Sequence, residues 1–393
     1  MPLRPMTRHP NLAAAAALAV LGLLAAPDGA AAQEALDPDR IPEVYRTHAD
    51  RLIDAALADS AAYHRLAELV DRFGHRFSGS ESLERAIDWI LAEMEADGLE
   101  NVRGEPVMVP RWIRGEESAR LVEPRAVELP MLGLGGSVGT PAAGITAEVL
   151  VVSSFDELRE RADEAAGKIV LLDVPFTTYG ETVRYRSDGA VAAARVGAVA
   201  SLIRSVGSFS MDTPHTGAMR YRDGVEPIPH AAITVEDAMM LHRMADRGER
   251  IVVHLEMAAR TEADVPSRNV VAEIRGAERP DEVVVLGGHI DSWDVGQGAM
   301  DDGGGSVVAW EAVRLMKALG LRPRRTVRVV LWTNEENGLR GGTGYRDRHR
   351  EELEGHVLAM ESDAGVFDPE GFGFTGATGA SIAADLDGDG CWD

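Results

Sequence analysis

Residues 282–313 read EVVVLGGHIDSWDVGQGAMDDGGGSVVAWEAV. The apolar run Val283–Leu286 predicts a strand that is covered on both faces, and the run that begins at Ser306 predicts an amphipathic helix. The loop between them holds His289 and four aspartates among many glycines. A solvated turn would account for the aspartates but less easily for the histidine, so the interpretation depends on the rest of the chain.

The same alternation of strand and helix extends over residues 265–363. Its predicted elements are NVVAEIRG (269–276), EVVVLGGHID (282–291), SVVAWEAVRLMKALG (306–320), TVRVVLWTNEEN (326–337) and HVLAMESD (356–363). This order predicts an α/β fold in which helices flank a mixed sheet. Upstream, residues 48–71 and 80–97 have apolar positions at helical spacing and predict two helices, and residues 105–112 predict a strand.

The composition changes between residues 113 and 264. Short β-like runs such as AEVLVV (147–152), KIVLLDV (168–174) and RIVVHLEM (250–257) are separated there by turns that contain Gly and Pro. We interpret residues 113–264 as an inserted, mostly β domain. Residues 33–112 and 265–393 would then form one discontinuous domain around it.

Residues 1–32 predict a secretory signal peptide. Arg4 and Arg8 precede an apolar run that is shorter than the roughly 20 residues of a membrane-spanning helix, and small residues follow it up to a predicted cleavage site after Ala32. We therefore expect the mature protein to be secreted or periplasmic, with no membrane partner.

Charge and cysteine content exclude further classes of protein. The formal net charge of −24 disfavours binding to nucleic acid or to anionic lipid. Cys391 is the single cysteine, which excludes a disulfide framework.

Polar groups follow three of the predicted strands. His289 and Asp291 follow the first, Glu335 and Glu336 follow the second, and Glu361 and Asp363 follow the third. Because ligands of open α/β sheets bind outside the carboxyl ends of the strands, these side chains can converge on one cleft. Clustered carboxylates repel each other unless a cation is present, so one histidine with several carboxylates predicts a site for Zn²⁺, Mn²⁺ or Co²⁺.

The spacing also suggests separate roles for these residues. Asp291 lies two residues from His289, on the same face of an extended segment, and could hold the imidazole in place. Glu335 and Glu336 are adjacent and must point differently, so one can bind metal while the other accepts a proton. Asp301, before the helix that begins near Ser306, could bridge two ions. The two remaining aspartates of the loop, Asp294 and Asp302, we interpret as turn and cap residues.

Three segments resemble the metal-binding segments of the co-catalytic dizinc peptidases related to plasma glutamate carboxypeptidase (carboxypeptidase Q). They are GGHIDSWDVGQGAMDDGGG (287–305), LWTNEENGLRGG (331–342) and MESDAG (360–365). Segments of residues 113–264, such as ITAEVLVVSSFDELRERA (145–162), resemble the inserted protease-associated domain of that family. The resemblance implies a phosphorylase/hydrolase-like sheet and a secreted, commonly dimeric enzyme that hydrolyses dipeptides or short peptides.

The resemblance also implies a role for each site residue. His289 and Asp363 would hold one Zn²⁺, Asp301 would bridge, and Glu336 would hold the second. Glu335 would be the general base that removes a proton from the attacking water, and Asp291 would support His289. Whether cleavage proceeds from the amino or the carboxyl end is left open.

The sequence departs from the family pattern at the second zinc. The family places one more histidine there, from a later segment, but no histidine follows His356, and His349 and His356 are expected at the surface. We therefore expect either a C-terminally truncated chain, which would be a catalytically incomplete fragment or a peptide-binding protein, or a second site that is completed differently. A serine hydrolase is a weaker alternative: GGSVG around Ser137 matches G-x-S-x-G, but Pro141 and the turn after it leave no helix to follow.

Overall fold

The computed structural model describes residues 41–367, 371–375 and 381–385. The chain divides into two compact units, residues 1–49 and 50–393, and the described part of the first unit is helical. The predicted signal peptide, residues 1–32, lies outside the described residues. Among the described residues, no helix has both the length and the apolar character needed to cross a membrane.

The helices only partly follow the sequence prediction. They are α1 (Ile41–Ala58), α2 (Ala61–Phe73), α3 (Glu81–Ala96), α4 (Phe155–Glu160), α5 (Ala162–Ala165), α6 (Tyr179–Arg195), α7 (Val235–Asp246), α8 (Gly304–Ala318) and α9 (Arg340–Arg348). One helix over residues 48–71 is wrong: it is broken at Asp59, whose carboxylate accepts the Ala61 amide at 2.8 Å. The predicted helix 80–97 is confirmed by α3, where the Ser80 hydroxyl caps the amide of Leu83.

The strands of the described residues form three separate sheets. The strands are β1 (Glu100–Ile113), β2 (Glu117–Glu123), β3 (Val127–Leu129), β4 (Met131–Gly133), β5 (Ile145–Val152), β6 (Ile169–Leu172), β7 (Ala200–Arg204), β8 (His230–Ile233), β9 (Val252–Met257), β10 (Arg260–Ile274), β11 (Arg279–His289), β12 (Arg325–Trp332), β13 (His356–Glu361), β14 (Gly371–Thr375) and β15 (Ser381–Asp385). Within the part of the chain that the structure describes, the last two strands pair with each other.

The sheet that carries the candidate site has five strands in the order β1-β10-β12-β11-β13. β11 is parallel to both of its neighbours, whereas β10 is antiparallel to β1 and to β12. Ile87 of α3 and Trp310 of α8 join the core on one face of this sheet, and Tyr345 of α9 packs against the other. The predicted α/β fold with a mixed sheet and flanking helices is confirmed.

The eight-stranded sheet lies entirely within residues 117–257. Its order is β3-β2-β9-β5-β6-β7-β8-β4, with β5 to β8 parallel. The prediction that this segment is mostly β is wrong, because α4 to α7 take nearly as many residues as its strands. Parallel neighbours need crossover connections, and helices supply most of them here.

Parallel pairing brings three carboxyl ends to one edge of the five-stranded sheet. β11 ends at His289 and lies between β12, which ends at Trp332, and β13, which ends at Glu361. The chain returns from β11 through the turn Ala299–Gly303, in which Asp301 and Asp302 have non-helical backbone angles, directly into α8. The predicted site residues therefore lie at this edge of the sheet.

The core beneath this edge can be tested by truncating Ile87, whose side chain is fully buried. We expect Ile87→Ala to lower the free energy of unfolding by about 2–5 kcal/mol, since it removes buried methyl groups and leaves a cavity. The matched control is Ile53→Ala on α1, where the side chain is 56% exposed and the change should stay within about 0.5 kcal/mol. Urea denaturation of both variants measures the difference, and equal losses would contradict this view of the core.

Candidate metal centre

His289 lies at the middle of the candidate site, at the end of β11, with 1% of its side chain exposed. Its Nδ1 is 3.0 Å from the carbonyl oxygen of Asp291. A carbonyl only accepts hydrogen bonds, so Nδ1 carries the proton in the neutral ring and Nε2 presents a lone pair. Nε2 lies 3.0 Å from Asp301 Oδ1 and 3.3 Å from Asp363 Oδ1, and it is buried without a hydrogen-bond partner.

Asp291 supports the site differently from the sequence prediction. It steadies His289 through its carbonyl, while its carboxylate oxygen Oδ1 is 3.7 Å from Nδ1. The carboxylate instead accepts the backbone amides of Glu335 at 3.0 Å and Glu336 at 3.3 Å, and the Ser78 hydroxyl at 3.2 Å. The end of β11 is thus tied to the turn after β12.

That turn orients two adjacent acids. It begins at Asn334, which has the left-handed φ of 61° that asparagine tolerates better than most residues. Both Glu335 and Glu336 are half-buried, and one carboxylate oxygen of Glu336, Oε1, is buried without a partner. Like His289 Nε2, this oxygen is therefore free to bind a ligand.

The structure brings the four predicted metal ligands together in two overlapping groups. His289, Asp301 and Glu336 form one, and His289, Asp302 and Asp363 form the other, with the candidate ligand atoms of each group within 4.8 Å of one another. Glycines allow this close approach: a Cβ at Gly288 would lie 2.6 Å from Asp302 Oδ2, and one at Gly305 would lie 1.8 Å from the carbonyl oxygen of Ser362.

Asp302 has a larger role than the turn and cap residue that we expected. Its buried carboxylate accepts the Gly305 amide at 3.0 Å, as a cap would, but also the His289 amide at 2.9 Å. Both oxygens are therefore engaged by the backbone, unlike those of the exposed Asp301. Asp294 lies in the bend of residues 294–296, as a turn residue would, and its carboxylate also makes a two-pronged ion pair with Arg114, at 2.6 and 2.8 Å.

The electrostatics of the site favour a bound cation. Burial raises the pKa of Glu336 to about 9, with a further contribution from Asp301, and burial raises the pKa of Asp302 to about 8. Burial lowers the pKa of His289, but its aspartate neighbours outweigh this and the net shift is upward. Without a cation, these carboxylates therefore hold protons at neutral pH. One imidazole and several carboxylate oxygens, two of these donors unpartnered, fit Zn²⁺.

Arg76 is a site residue that sequence reasoning missed. Its guanidinium is fully buried and donates to four backbone carbonyls, those of Gly74, Ile290, Gln297 and Gly298, at 2.7–3.0 Å. Burial lowers its pKa to about 10, so it stays charged at neutral pH. It clamps the loop after β11, and three of its four partners lie more than 200 residues away in the chain, so no local pattern marks it.

A cleft of about 680 Å³ opens beside these acids. Its walls include Asp301, Glu335 and Glu336 from the metal centre and Tyr179, Arg186 and His215 from the segment of the eight-stranded sheet. Residues of the metal centre and residues of the eight-stranded sheet segment therefore line the same cleft. Its volume and its polar and charged lining suit a small, polar ligand.

Two other residues differ from the sequence prediction. His349 is buried rather than at the surface, because its Nε2 pairs with the inward-facing carboxylate of Glu105 at 3.0 Å. Ser137 is also buried: its hydroxyl donates to the carbonyl of Val138 and accepts the amide of His230. Among the described residues its partners are these backbone groups and the Tyr221 hydroxyl, so it lacks the base that a serine nucleophile needs.

Several known peptidases are similar to this chain. A family model described as Peptidase family M28 matches residues 269–387. Carboxypeptidase Q of Mus musculus is 57% identical over 316 residues, covering 80% of this chain and 67% of the relative. Carboxypeptidase Q of Homo sapiens is 57% identical over 320 residues, covering 81% and 68%.

Solved structures of peptidases are also similar to this chain. A peptidase M28 precursor from Shewanella amazonensis SB2B superposes with a TM-score of 0.78 at 38% identity, covering 82% of this chain and 75% of that one. A zinc aminopeptidase from Bacillus subtilis is similar in fold, with a TM-score of 0.60 at 23% identity, covering 77% and 68%.

The clamp can be tested with Arg76→Lys, which keeps the charge but loses the planar fork. We expect unfolding to become easier by about 3 kcal/mol or more, since several buried carbonyls lose their donor, and zinc content after dialysis to fall. Arg72→Lys is the control: that side chain is 56% exposed and paired with Glu68, so the change should be within about 0.5 kcal/mol. Wild-type stability and zinc content in Arg76→Lys would refute the clamp.

Proposed function

Because the chain belongs to peptidase family M28, we propose that it is a zinc-dependent exopeptidase that hydrolyses dipeptides or short peptides. Family membership confirms the predicted metallopeptidase and the suspected relationship to carboxypeptidase Q. The observation that carries the proposal is His289 Nε2, an unpartnered imidazole nitrogen in a ring of carboxylates.

We assign the metal ligands as the sequence predicted them. His289 and Asp363 would hold one Zn²⁺, Glu336 would hold a second, and Asp301 would contribute to both. The proposal is supported by the two ligand groups that share His289 and by the unpartnered Glu336 Oε1. When bound, the ions supply Lewis-acid polarisation of the scissile carbonyl and a lowered pKa for a nearby water.

Glu335 is the proposed general base. Its carboxylate lines the cleft, and burial raises its pKa, as do the charges of Asp291 and Asp363. A raised pKa suits a group that takes a proton from the attacking water and then gives it to the leaving amine. Asp291 positions this base by holding its backbone amide.

The domain organisation that we propose follows the two larger sheets. Residues 33–112 and 265–393 form a discontinuous peptidase domain, and residues 113–264 form an insertion of protease-associated type. The confinement of the eight-stranded sheet to residues 117–257 supports this division. Export to a secreted or periplasmic location, with cleavage after Ala32, and assembly into a homodimer complete the proposal.

The general base is tested with Glu335→Gln in the zinc-loaded protein. We expect kcat on alanyl-alanine to fall by about 10²- to 10⁴-fold, because the amide cannot accept the proton, while zinc per chain stays equal to that of wild type. Glu278→Gln, which changes an exposed glutamate paired with Arg324, should leave both unchanged. Elemental analysis and steady-state kinetics measure these quantities, and full turnover of Glu335→Gln with zinc retained would refute the assignment.

The serine-hydrolase alternative predicts that Ser137→Ala loses its turnover, whereas the metallopeptidase proposal predicts that turnover is kept. We expect Ser137→Ala to keep kcat within about threefold of wild type, although stability should fall by about 1 kcal/mol, since the buried amide of His230 loses an acceptor. Kinetics with the zinc-loaded variant are the measurement. Loss of turnover in a folded, zinc-bound Ser137→Ala protein would favour the serine mechanism.

A further inference from the structure

The position of Asp301 depends on the loop after β11 that carries it. Its side chain is 65% exposed and its carboxylate contacts His289, whereas the buried carboxylate of Asp302 accepts two backbone amides. The restraint on Asp301 therefore comes from contacts made elsewhere in the loop. Arg76 supplies one such contact through the loop carbonyls.

Arg114 supplies a second restraint on the same loop. It follows β1 directly, and only 8% of it is exposed. Its guanidinium makes two hydrogen bonds to the carboxylate of Asp294, from Nε to Oδ2 at 2.8 Å and from Nη2 to Oδ1 at 2.6 Å. The planar guanidinium matches a carboxylate in this way, and a lysine ammonium does not. Arg114 therefore holds the loop at a point ahead of Asp301.

The same guanidinium also binds the eight-stranded sheet segment. Its Nη1 donates to the carbonyl of Gly133, and its Nη2 donates to the hydroxyl of Thr216 at 3.4 Å. Beyond Gly133, the amide of Gly135 donates to the carbonyl of Gly217 at 2.9 Å. Thr216 and Gly217 line the cleft beside the metal centre. Arg114 therefore joins the loop of Asp301 to the cleft wall that the eight-stranded sheet segment provides.

Trp293 makes the same connection through packing. Its indole stacks on Phe77, with the ring centroids 4.9 Å apart, and packs against the core of the eight-stranded sheet. It also lies against Gly135, where a Cβ would be 2.0 Å from a carbon of the indole ring. A side chain at position 135 would therefore displace the indole. Two consecutive residues of the loop, Trp293 and Asp294, are thus tied to the eight-stranded sheet segment.

Arg114 also lies between two acids. Its Nη1 is 3.4 Å from a carboxylate oxygen of Glu117. Burial raises the pKa of Glu117, the charge of Arg114 lowers it, and the charge of Asp294 raises it again. Removing the guanidinium would leave these two carboxylates within electrostatic reach of each other without that cation, which favours release of the loop.

We propose that Arg114 is a positioning residue that couples metal binding at Asp301 to the cleft wall around Thr216. This inference rests on the proposed metal ligands and adds to them a residue outside the described cleft walls. A loop that is already restrained loses less conformational entropy when Asp301 binds metal, so the affinity for zinc is higher. Because coupling is reciprocal, metal binding orders the loop and, through Arg114, the wall.

The first test measures the apparent Kd for zinc by competition with a chromogenic chelator. We expect Arg114→Gln and Asp294→Asn each to raise it by about 10-fold or more, as for other residues that support metal ligands. Arg114→Lys should resemble Arg114→Gln, since it loses the two-pronged pair. The double variant should stay within about threefold of the weaker single variant, because both changes remove one link. If Arg114→Gln does not fold, Asp294→Asn tests the same link from the exposed side.

Amide hydrogen exchange separates coupling from a merely structural role. In wild type, zinc should slow exchange in the loop, residues 292–303, and also in the cleft wall, residues 213–219. In Arg114→Gln saturated with zinc, exchange should slow in the loop and stay unchanged in the wall. Slower exchange of both segments in that variant would overturn the coupling.

The control variant is Arg111→Gln on β1. Arg111 is 44% exposed and pairs with Glu262 at 3.4 Å, so zinc affinity and exchange should stay at their wild-type values. Wild-type zinc affinity in Arg114→Gln and Asp294→Asn, or losses that multiply in the double variant, would overturn the role of Arg114. If wild type binds zinc with these dependences but hydrolyses no peptide, the proposed function fails and the coupling stands. A wild-type protein that binds no zinc overturns both.

Discussion

The candidate site depends on the hydrogen bonds of Asp291. Its carbonyl fixes the imidazole of His289, and its carboxylate holds the backbone amides of Glu335 and Glu336. One residue therefore orients a proposed metal ligand on one strand and both acids beyond the next strand. Since these bonds are buried, any change that breaks them also leaves donors or acceptors unsatisfied.

The second constraint on this edge of the sheet is the cost of placing so many carboxylates together. Groups of the chain itself offset part of this free-energy cost. The buried Arg76 lies next to the loop and donates hydrogen bonds to its carbonyls, and backbone amides donate hydrogen bonds to the Asp302 carboxylate. The raised pKa values of Glu336 and Asp302 show that the compensation is incomplete. A bound metal ion would supply the rest, so metal binding and local order are coupled.

Residues of the eight-stranded sheet segment form part of the cleft beside the candidate metal centre. It supplies Tyr179, Arg186 and His215 to a cleft whose other wall holds the acids. The two walls differ in the sign of their charge, which suits a ligand with separated charges such as a short peptide. Chemistry and substrate choice would then come from different parts of the chain.

The sequence alone determined the α/β class, the order of strands and helices around the site and the identity of His289, Asp301, Glu335, Glu336 and Asp363 as candidates, because strand periodicity and residue type are local properties. Only the tertiary structure decided that Asp291 acts on two backbone amides, that Asp302 and Arg76 belong to the site, and that residues 113–264 mix helix and strand. Those features depend on burial and on contacts between residues far apart in the chain, such as Arg76 with Ile290, for which the sequence carries no local signal.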